Sequence, residues 1–321
     1  MKILANDGIS ESGILALQKG GFEVITTKVA QEQVANFIND NHISVILVRS
    51  ATKVRKDIID VCPGIKIIGR GGVGMDNIDV DYARSKGIHV INTPASSSES
   101  VAELVFAHLF TGVRFLHDAN RNMPLEGDSN FEGLKKAYAN GIELRGKTLG
   151  IIGFGRIGKA VAKIALGMGM RVIASDRHVG NAEIKVDFYN GQFINVDIIT
   201  ESIADIFRHS DFITLHVPAQ DGEYVIGEEE LLSMKDGVGI INCARGGVID
   251  EVALINALEG GKVSFAGLDV FENEPSPAVQ ILMHPQISLS PHIGAATLEA
   301  QDRIGTELAE QIINIFQAEK V

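Results

Sequence analysis

The chain has 321 residues, 45% hydrophobic and 22% charged, the balance of a folded globular protein and not of a disordered or fibrous one. Its 41 acidic against 29 basic residues leave a formal charge of −12, so the chain as a whole repels nucleic acid and anionic membrane surfaces, and an anionic substrate needs a local basic pocket. Two cysteines, Cys62 and Cys243, cannot make a disulfide framework, the start MKILANDGIS lacks the apolar core of a signal peptide, and no window has 18 uninterrupted apolar residues. The expectation is a cytoplasmic protein with no membrane span and no nucleic-acid partner. The length suggests two domains, and 34 glycines exceed the usual share of about 7%, as tight turns or close backbone–ligand approaches require.

In chain order, Met1–Leu4 reads as a strand, Ser10–Lys19 as an amphipathic helix, Phe22–Ile25 as a strand and Gln31–Asn39 as a helix. Val45–Val48, Ile65–Ile68 and His89–Ile91 follow as further strands of one small unit. Ser100–Arg121 is apolar-periodic and opened by Ser100 and Glu103 at capping-box spacing. Arg121–Arg145 carries no clean period and reads as a long arm or loop. A second series runs Thr148–Ile152, Val172–Ala174, Phe212–His216, Gly239–Asn242, Phe265–Val270 and Ile287–Ser290, six strands, the count of a complete dinucleotide-binding sheet. Ala182–Ile199 reads as an insertion into that series, without an assigned mechanism, and Leu298–Phe316 as a closing helix. Strands alternating with helical-period runs indicate βαβ units and parallel sheets covered on both faces, so the fold class is α/β.

Gly153, Gly155 and Gly158 form G-x-G-x-x-G directly after the run Thr148–Ile152, with Arg156 and Ile157 between them and a helical stretch, Arg156–Leu166, beyond. Glycines at these places permit the tight turn, the approach of backbone to a pyrophosphate and the packing of helix on strand; the helix N-terminus offers N–H groups and partial positive charge. The triplet alone is weak, but Asp176 follows the next strand, 18 residues past Gly158, placed to accept from the ribose hydroxyls. Asp176 would repel a 2′-phosphate, so the cofactor expected is NAD; Arg177 beside it, with His178 able to help, suits a phosphate and hence NADP instead.

Reduction of a 2-keto acid needs a cation for the carboxylate and carbonyl, a general acid for the nascent alkoxide, and a partner that tunes the acid. Arg245 in NCARGG, Glu274 in DVFENEP and His292 in SPHIGAA each lie just past a strand's carboxyl end, where doubly wound sheets bind ligands. Arginine can grip a carboxylate by two parallel hydrogen bonds, and a glutamate beside a histidine favours the imidazolium. His216, in TLHVP, reads as lining the cofactor loop with Val217 and Pro218. His42, His89, His108, His117, His178, His209 and His284 show no chemical context and receive no role. No spacing resembles a metal site, and Cys243 lacks the base that a nucleophile needs.

Together LGIIGFGRIGK (149–159), DFITLHVP (211–218), NCARGGVID (242–250), AGLDVFENEP (266–275) and PHIGAA (291–296) resemble, in order, the cofactor and catalytic motifs of the D-isomer-specific 2-hydroxyacid dehydrogenases. The resemblance implies Arg245, Glu274 and His292 as the catalytic set, Asp269 at the nicotinamide carboxamide, and Cys243, Ala244 and Gly294 along the cofactor. It favours a closing helix that returns to the first unit: a discontinuous substrate-binding domain, 1–98 plus 296–321, with an NAD-binding domain, 99–295, inserted. It also implies a homodimer through an arm at about 100–145.

Within the family, VRSATKV (48–54), GRGGVGMDNID (69–79), NCARGG (242–247) and EAQDR (299–303) resemble the branch that oxidises D-3-phosphoglycerate for serine synthesis. Arg49, with Ser50 beside it, and Arg70 each follow a strand of the small unit, where they can make the positive pocket that a phosphate requires. Backbone N–H groups of Gly72, Val73 and Gly74 are expected at the carboxylate. Glyoxylate, hydroxypyruvate or D-lactate reduction is the alternative, and an NAD-sensing protein without catalysis a remote one. The formate dehydrogenase branch pairs its histidine with glutamine, against Glu274. Ser97 stands where the family often has Asn, and the arm's usual tryptophan is absent, while Lys135 and Lys136 remain as phosphate ligands toward a neighbouring subunit. With 29 residues after His292, the expected form is short and lacks the regulatory domain of longer relatives.

Overall fold

Strands alternating with helices build two separate parallel sheets in this computed structural model, which describes residues 1–220 and 222–318. The chain divides into two compact units, Met1–Ser100 with Ala295–Val321, and Val101–Gly294; the last three residues of the expected 296–321 segment lie outside the described residues.

The first unit runs β1 (Lys2–Ala5), α1 (Glu11–Lys19), β2 (Glu23–Ile25), α2 (Val34–Asp40), β3 (Ile43–Val48), α3 (Lys56–Val61), β4 (Ile67–Arg70), α4 (Val80–Ser85) and β5 (His89–Asn92). Ser10 caps α1, its hydroxyl accepting from Gly13 N at 3.2 Å. The sheet order is β2-β1-β3-β4-β5, all parallel. Both faces are covered, which is why β3 reads as the unbroken apolar run ISVILV. Successive side chains alternate between the faces. Leu4, Ile46, Val48 and Ile68 pack with Val34, Ile38, Ile58 and Ile59. Ile3, Val45, Leu47 and Ile67 pack with Leu17 and with Ile304, Leu308, Ile312 and Phe316 of the closing helix Leu298–Ala318. Each such aliphatic side chain, buried, contributes about 1.5–3 kcal/mol.

The second unit follows α5 (Ser98–Val113) with α6 (Leu116–Glu126), α7 (Phe131–Ala137), β6 (Thr148–Ile152), α8 (Arg156–Gly167), β7 (Arg171–Ser175), β8 (Asn181–Asp187), β9 (Phe193–Ile199), α9 (Ile203–His209), β10 (Phe212–Leu215), α10 (Glu228–Ser233), β11 (Val238–Asn242), α11 (Glu251–Glu259), β12 (Val263–Leu268), α12 (Val279–Met283) and β13 (Ile287–Leu289). Its six-stranded sheet is ordered β13-β12-β11-β10-β6-β7, so the chain reverses direction across the sheet between β6 and β10. Ligands of such sheets bind outside the carboxyl ends at that point.

Three expectations change here. The single helix expected over 100–121 is broken at Phe115, whose backbone is left-handed (φ 55°) and whose ring packs on Tyr138. Ser100 is no cap, because α5 starts at Ser98 and the Ser100 hydroxyl meets Thr297 Oγ1 at 2.7 Å. The arm after 121 is largely helical, pinned where the Tyr138 hydroxyl donates to Asp118 at 2.8 Å. The 182–199 insertion forms the antiparallel hairpin β8–β9, with Ile184, Val186 and Ile198 buried beside Val161 and Ala162 while the intervening Glu183 and Lys185 face solvent.

Candidate active site

The glycine loop sits at the switch point between β6 and β10. Gly153 is left-handed (φ 94°), and a Cβ there would collide with the His216 carbonyl, so the loop leaving β6 touches the segment leaving β10. A Cβ at Gly158 would collide with the Gly153 carbonyl, which fixes how closely α8 packs on the loop. Gly155 differs: its φ is −76° and, apart from its chain neighbours, none of the described residues comes within 4 Å of where its Cβ would stand. Nothing in the protein's own packing requires glycine at that place. The clearance lies at the N-terminus of α8, which no side chain caps, beside the exposed Arg156 and half-buried Ile157. That is the shape and polarity a pyrophosphate needs, and the loop fits a dinucleotide.

Asp176 follows β7 and braces this loop. Its Oδ2 accepts from Phe154 N at 2.7 Å, and its Oδ1 from His178 N at 2.8 Å and Val179 N at 3.0 Å. Burial opposes its charge, but the three N–H groups outweigh burial and hold the carboxyl below the usual aspartate range. His216 lies past β10, its Nε2 against Thr214 Oγ1 at 3.0 Å. Desolvation lowers its pKa to about 3, so it stays neutral. Val217 is half-buried and Pro218 exposed. Cys243 and Ala244 are buried after β11, and burial, then Asp269, push the Cys243 thiol well up, which removes it as a nucleophile.

Glu274 and His292 meet directly. His292 Nδ1 is 2.8 Å from Glu274 Oε2, while Glu274 Oε1 accepts from Phe271 N at 3.1 Å. The carboxylate is thus held at one end by backbone and at the other receives the ring N–H, which leaves Nε2 as the imidazole's reactive nitrogen. Both side chains are about a third to two-fifths exposed, so a substrate can reach them. His292 is left-handed (φ 54°), an uncommon conformation for a residue with a Cβ. Asp269, 1% exposed, surrounds that strained residue: its carbonyl accepts from His292 N at 2.8 Å, its Oδ1 from Ile293 N and its Oδ2 from Gly294 N, both at 2.8 Å. A Cβ on Gly294 would stand 3.1 Å from Asp269 Oδ2, so this glycine serves the loop's own packing.

Arg245 stands on the turn after β11, half-buried, its Nη1 donating to the Ala244 carbonyl at 2.6 Å. Asn242 shapes that turn, accepting from Ala244 N at 3.0 Å and donating to the Arg245 carbonyl at 2.9 Å. A Cβ at Gly246 would collide with the Phe271 carbonyl, so the Arg245 turn packs on the segment that leads to Glu274.

In the first unit, Arg49 and Arg70 end adjacent strands, Val48 pairing with Arg70 in the ladder. A Cβ on Gly72 would stand 2.5 Å from Arg70 Nη1, and one on Gly71 3.7 Å from Arg49 Cγ. Both arginines therefore lie over one glycine turn, with Ser50 exposed beside them. The Gly72 N–H turns back to the Arg70 carbonyl at 3.0 Å, so the expected backbone contact to a carboxylate narrows to Val73 and Gly74. Sequence reading missed the groups that frame this corner. Asp7 accepts from Arg49 N at 2.7 Å and Thr52 N at 3.0 Å, and Asn77 donates to the Arg49 carbonyl at 2.8 Å. Asp7 lies just past the end of β1, a position that the strand-end rule could have flagged.

A family model for the NAD binding domain of D-isomer specific 2-hydroxyacid dehydrogenases matches residues 106–294. The chain is 43% identical over 317 residues to the hydroxypyruvate reductase of Thermotoga maritima, covering 97% of each. It is 40% identical over 320 residues to the D-3-phosphoglycerate dehydrogenase of Methanocaldococcus jannaschii, covering 99% of this chain and 58% of that relative. The chain thus spans little more than half the length of that longer protein. Among solved structures, a glyoxylate reductase from Paecilomyes thermophila superposes with a TM-score of 0.80 at 28% identity, covering 97% of this chain and 94% of the other.

Proposed function

This chain belongs to the D-isomer-specific 2-hydroxyacid dehydrogenases, a family of NAD-dependent oxidoreductases, and within it we propose the oxidation of D-3-phosphoglycerate to 3-phosphohydroxypyruvate, the step that opens serine synthesis. The observation that carries this reading is the placement of Arg49 and Arg70 on adjacent strand ends over one glycine turn. In a protein of net charge −12, two arginines that follow adjacent strands bring the local positive charge that suits a phosphate dianion.

NAD is held by Gly153, Gly155, Arg156, Ile157 and Gly158 at the pyrophosphate, by Asp176 at the ribose, and by His216, Val217, Pro218, Cys243, Ala244, Asp269 and Gly294 along its length. When bound, it supplies the hydride acceptor. Arg245 grips the substrate carboxylate and draws charge toward the carbonyl that forms. His292 Nε2 takes the hydroxyl proton, and Glu274, on Nδ1, keeps the ring in the tautomer that can accept it and stabilises the resulting imidazolium. In the reductive direction the same imidazolium returns the proton. Val73 and Gly74 orient the substrate through their N–H groups. The active form is a homodimer in the cytoplasm, joined through the 100–145 arm; exposed Leu116, Leu125, Phe131 and Ile142 support that interface.

One observation favours a second reading, reduction of hydroxypyruvate: the Thermotoga relative of that name matches end to end. NADH consumption with 3-phosphohydroxypyruvate, hydroxypyruvate, glyoxylate and pyruvate separates the two. The phosphorylated acid should win by orders of magnitude in kcat/KM, and Arg49→Ala should remove most of that preference. If the unphosphorylated acids win, and Arg49→Ala leaves the ratio unchanged, the phosphate reading fails.

A further inference from the structure

His108 has no contextual signal in the sequence, yet α5 carries it into the floor beneath the His292 loop. The ring is 4% exposed. Its Nδ1 lies 2.9 Å from Ser288 Oγ and its Nε2 3.0 Å from Ser290 Oγ. Ser290 in turn donates its hydroxyl hydrogen to Asp269 Oδ1 at 2.6 Å. A serine has one hydrogen to give. Because Ser290 gives it to the carboxylate, its oxygen must accept from His108, so Nε2 carries hydrogen and Nδ1 of the neutral ring accepts from Ser288. The chain of donors has one direction, from Ser288 through His108 and Ser290 to Asp269. Burial disfavours the charged imidazole, with Asp269 opposing and His117 adding to that effect.

The approach is built into the packing. A Cβ on Gly267, in β12, would stand 2.6 Å from His108 Cβ, so only glycine there lets α5 come close enough for the ring to reach both serines that flank the end of β13. At the far end of the chain Asp269 collects three successive backbone N–H groups, those of His292, Ile293 and Gly294. These bonds hold His292 in its left-handed conformation, which persists only when its surroundings over-determine it. Beside the two backbone N–H groups on the Asp269 carboxylate, Ser290 is its one side-chain donor among the described residues, and His108 orients Ser290.

We propose that His108 is a positioning residue of the dehydrogenase reaction, fixing the His292 loop through Ser290 and Asp269. This rests on the reading of His292 as the acid–base group. A ring misplaced by an ångström loses about 10²-fold in rate, while Arg49, Arg70 and Arg245, the side chains assigned to the substrate, stay in place.

The test is a series at one position on the intact enzyme. Glutamine places an N–H where Nε2 stands and can still donate to Ser290; asparagine reaches only toward Ser288; phenylalanine fills the space without a polar atom. His108→Phe and His108→Asn should lower kcat about tenfold or more with the substrate KM within twofold, and His108→Gln should recover most of the loss. Ser290→Ala, a smaller change, should reproduce the loss, and combining it with His108→Phe should add little. Should the ring variants fold poorly, Ser290→Ala alone decides. Wild-type kcat in the Phe and Asn variants, equal loss in Gln, Asn and Phe, or unchanged kcat in Ser290→Ala would each overturn the proposal. His292→Gln is measured alongside: if it keeps full activity, the acid–base reading fails on its own account, whatever the His108 series shows.

Discussion

Replacing Glu274 by glutamine preserves the side chain's shape and removes one acceptor, so its effect follows from what the two carboxylate oxygens do. One accepts from Phe271 N at 3.1 Å and the other meets His292 Nδ1 at 2.8 Å. A glutamine must choose. With its oxygen toward Phe271 N, its NH2 donates to Nδ1, and the neutral ring then carries its hydrogen on Nε2, the atom that must accept the substrate proton. With its oxygen toward Nδ1–H, the NH2 faces the Phe271 N–H, donor against donor, and that buried N–H goes unmet at a cost of about 1–3 kcal/mol. The competent tautomer is therefore reduced about 5- to 150-fold, and loss of the negative charge removes the stabilisation of the imidazolium as well. The expected result is a fall in oxidative kcat of about 10²-fold at neutral pH, with KM little changed, measured by stopped-flow NADH formation. Deuterium on the substrate carbon should show whether chemistry limits both enzymes. If Glu274→Gln keeps oxidative kcat within twofold of wild type while chemistry is rate-limiting, the tautomer reasoning is wrong.

The glycine loop offers a contrast between two alanine substitutions: Gly158→Ala should lower Tm by several degrees, because its Cβ meets the Gly153 carbonyl, whereas Gly155→Ala should leave Tm unchanged and weaken NADH binding about tenfold or more by fluorescence titration. Equal effects on both quantities in both variants would refute the assignment of Gly155 to the cofactor. His216, held at a pKa of about 3, is neutral when folded but takes a proton when unfolded below about pH 6.5; stability is therefore lost as pH falls from about 6.5 toward 3, and His216→Gln should flatten Tm over that window. Asp211 is held below the usual aspartate range although burial opposes its charge, since Thr148 N and Lys235 outweigh it. Its contribution is present above about pH 4 and disappears as pH falls through the lower folded value; in Asp211→Asn the acid limb of the Tm profile should be shallower. The 100–145 arm predicts a dimer, and sedimentation at micromolar concentration that gives only the 34.5 kDa monomer would count against it.

Local chemistry made much of this protein legible in one dimension. Thr148–Ile152 could be named as a strand to the residue, because a fully buried parallel strand is an unbroken apolar run and a glycine turn ends it. Glu274 and His292 could be suspected because each follows a strand's carboxyl end, and the topology of a doubly wound sheet gathers those ends on one side. The hairpin β8–β9 reads in the sequence only as an insertion, because its apolar residues alternate with charges in an acidic, glycine-containing stretch that has no parallel partner. The break at Phe115 was invisible for another reason: helical periodicity continues through it, and only the packing of Phe115 on Tyr138 shows why the chain turns there.

The sequence by itself determined the fold class, the two series of strands, the glycine loop and the residue types that hydride chemistry needs, since each depends on neighbours within a few positions along the chain. Tertiary structure decided what each polar group is spent on. Asp269 serves the His292 loop, Asp176 braces the glycine loop, and His108 reaches Ser290 across 182 positions, because hydrogen bonds are directional and saturable and their partners are set by where helices and strands come together in space.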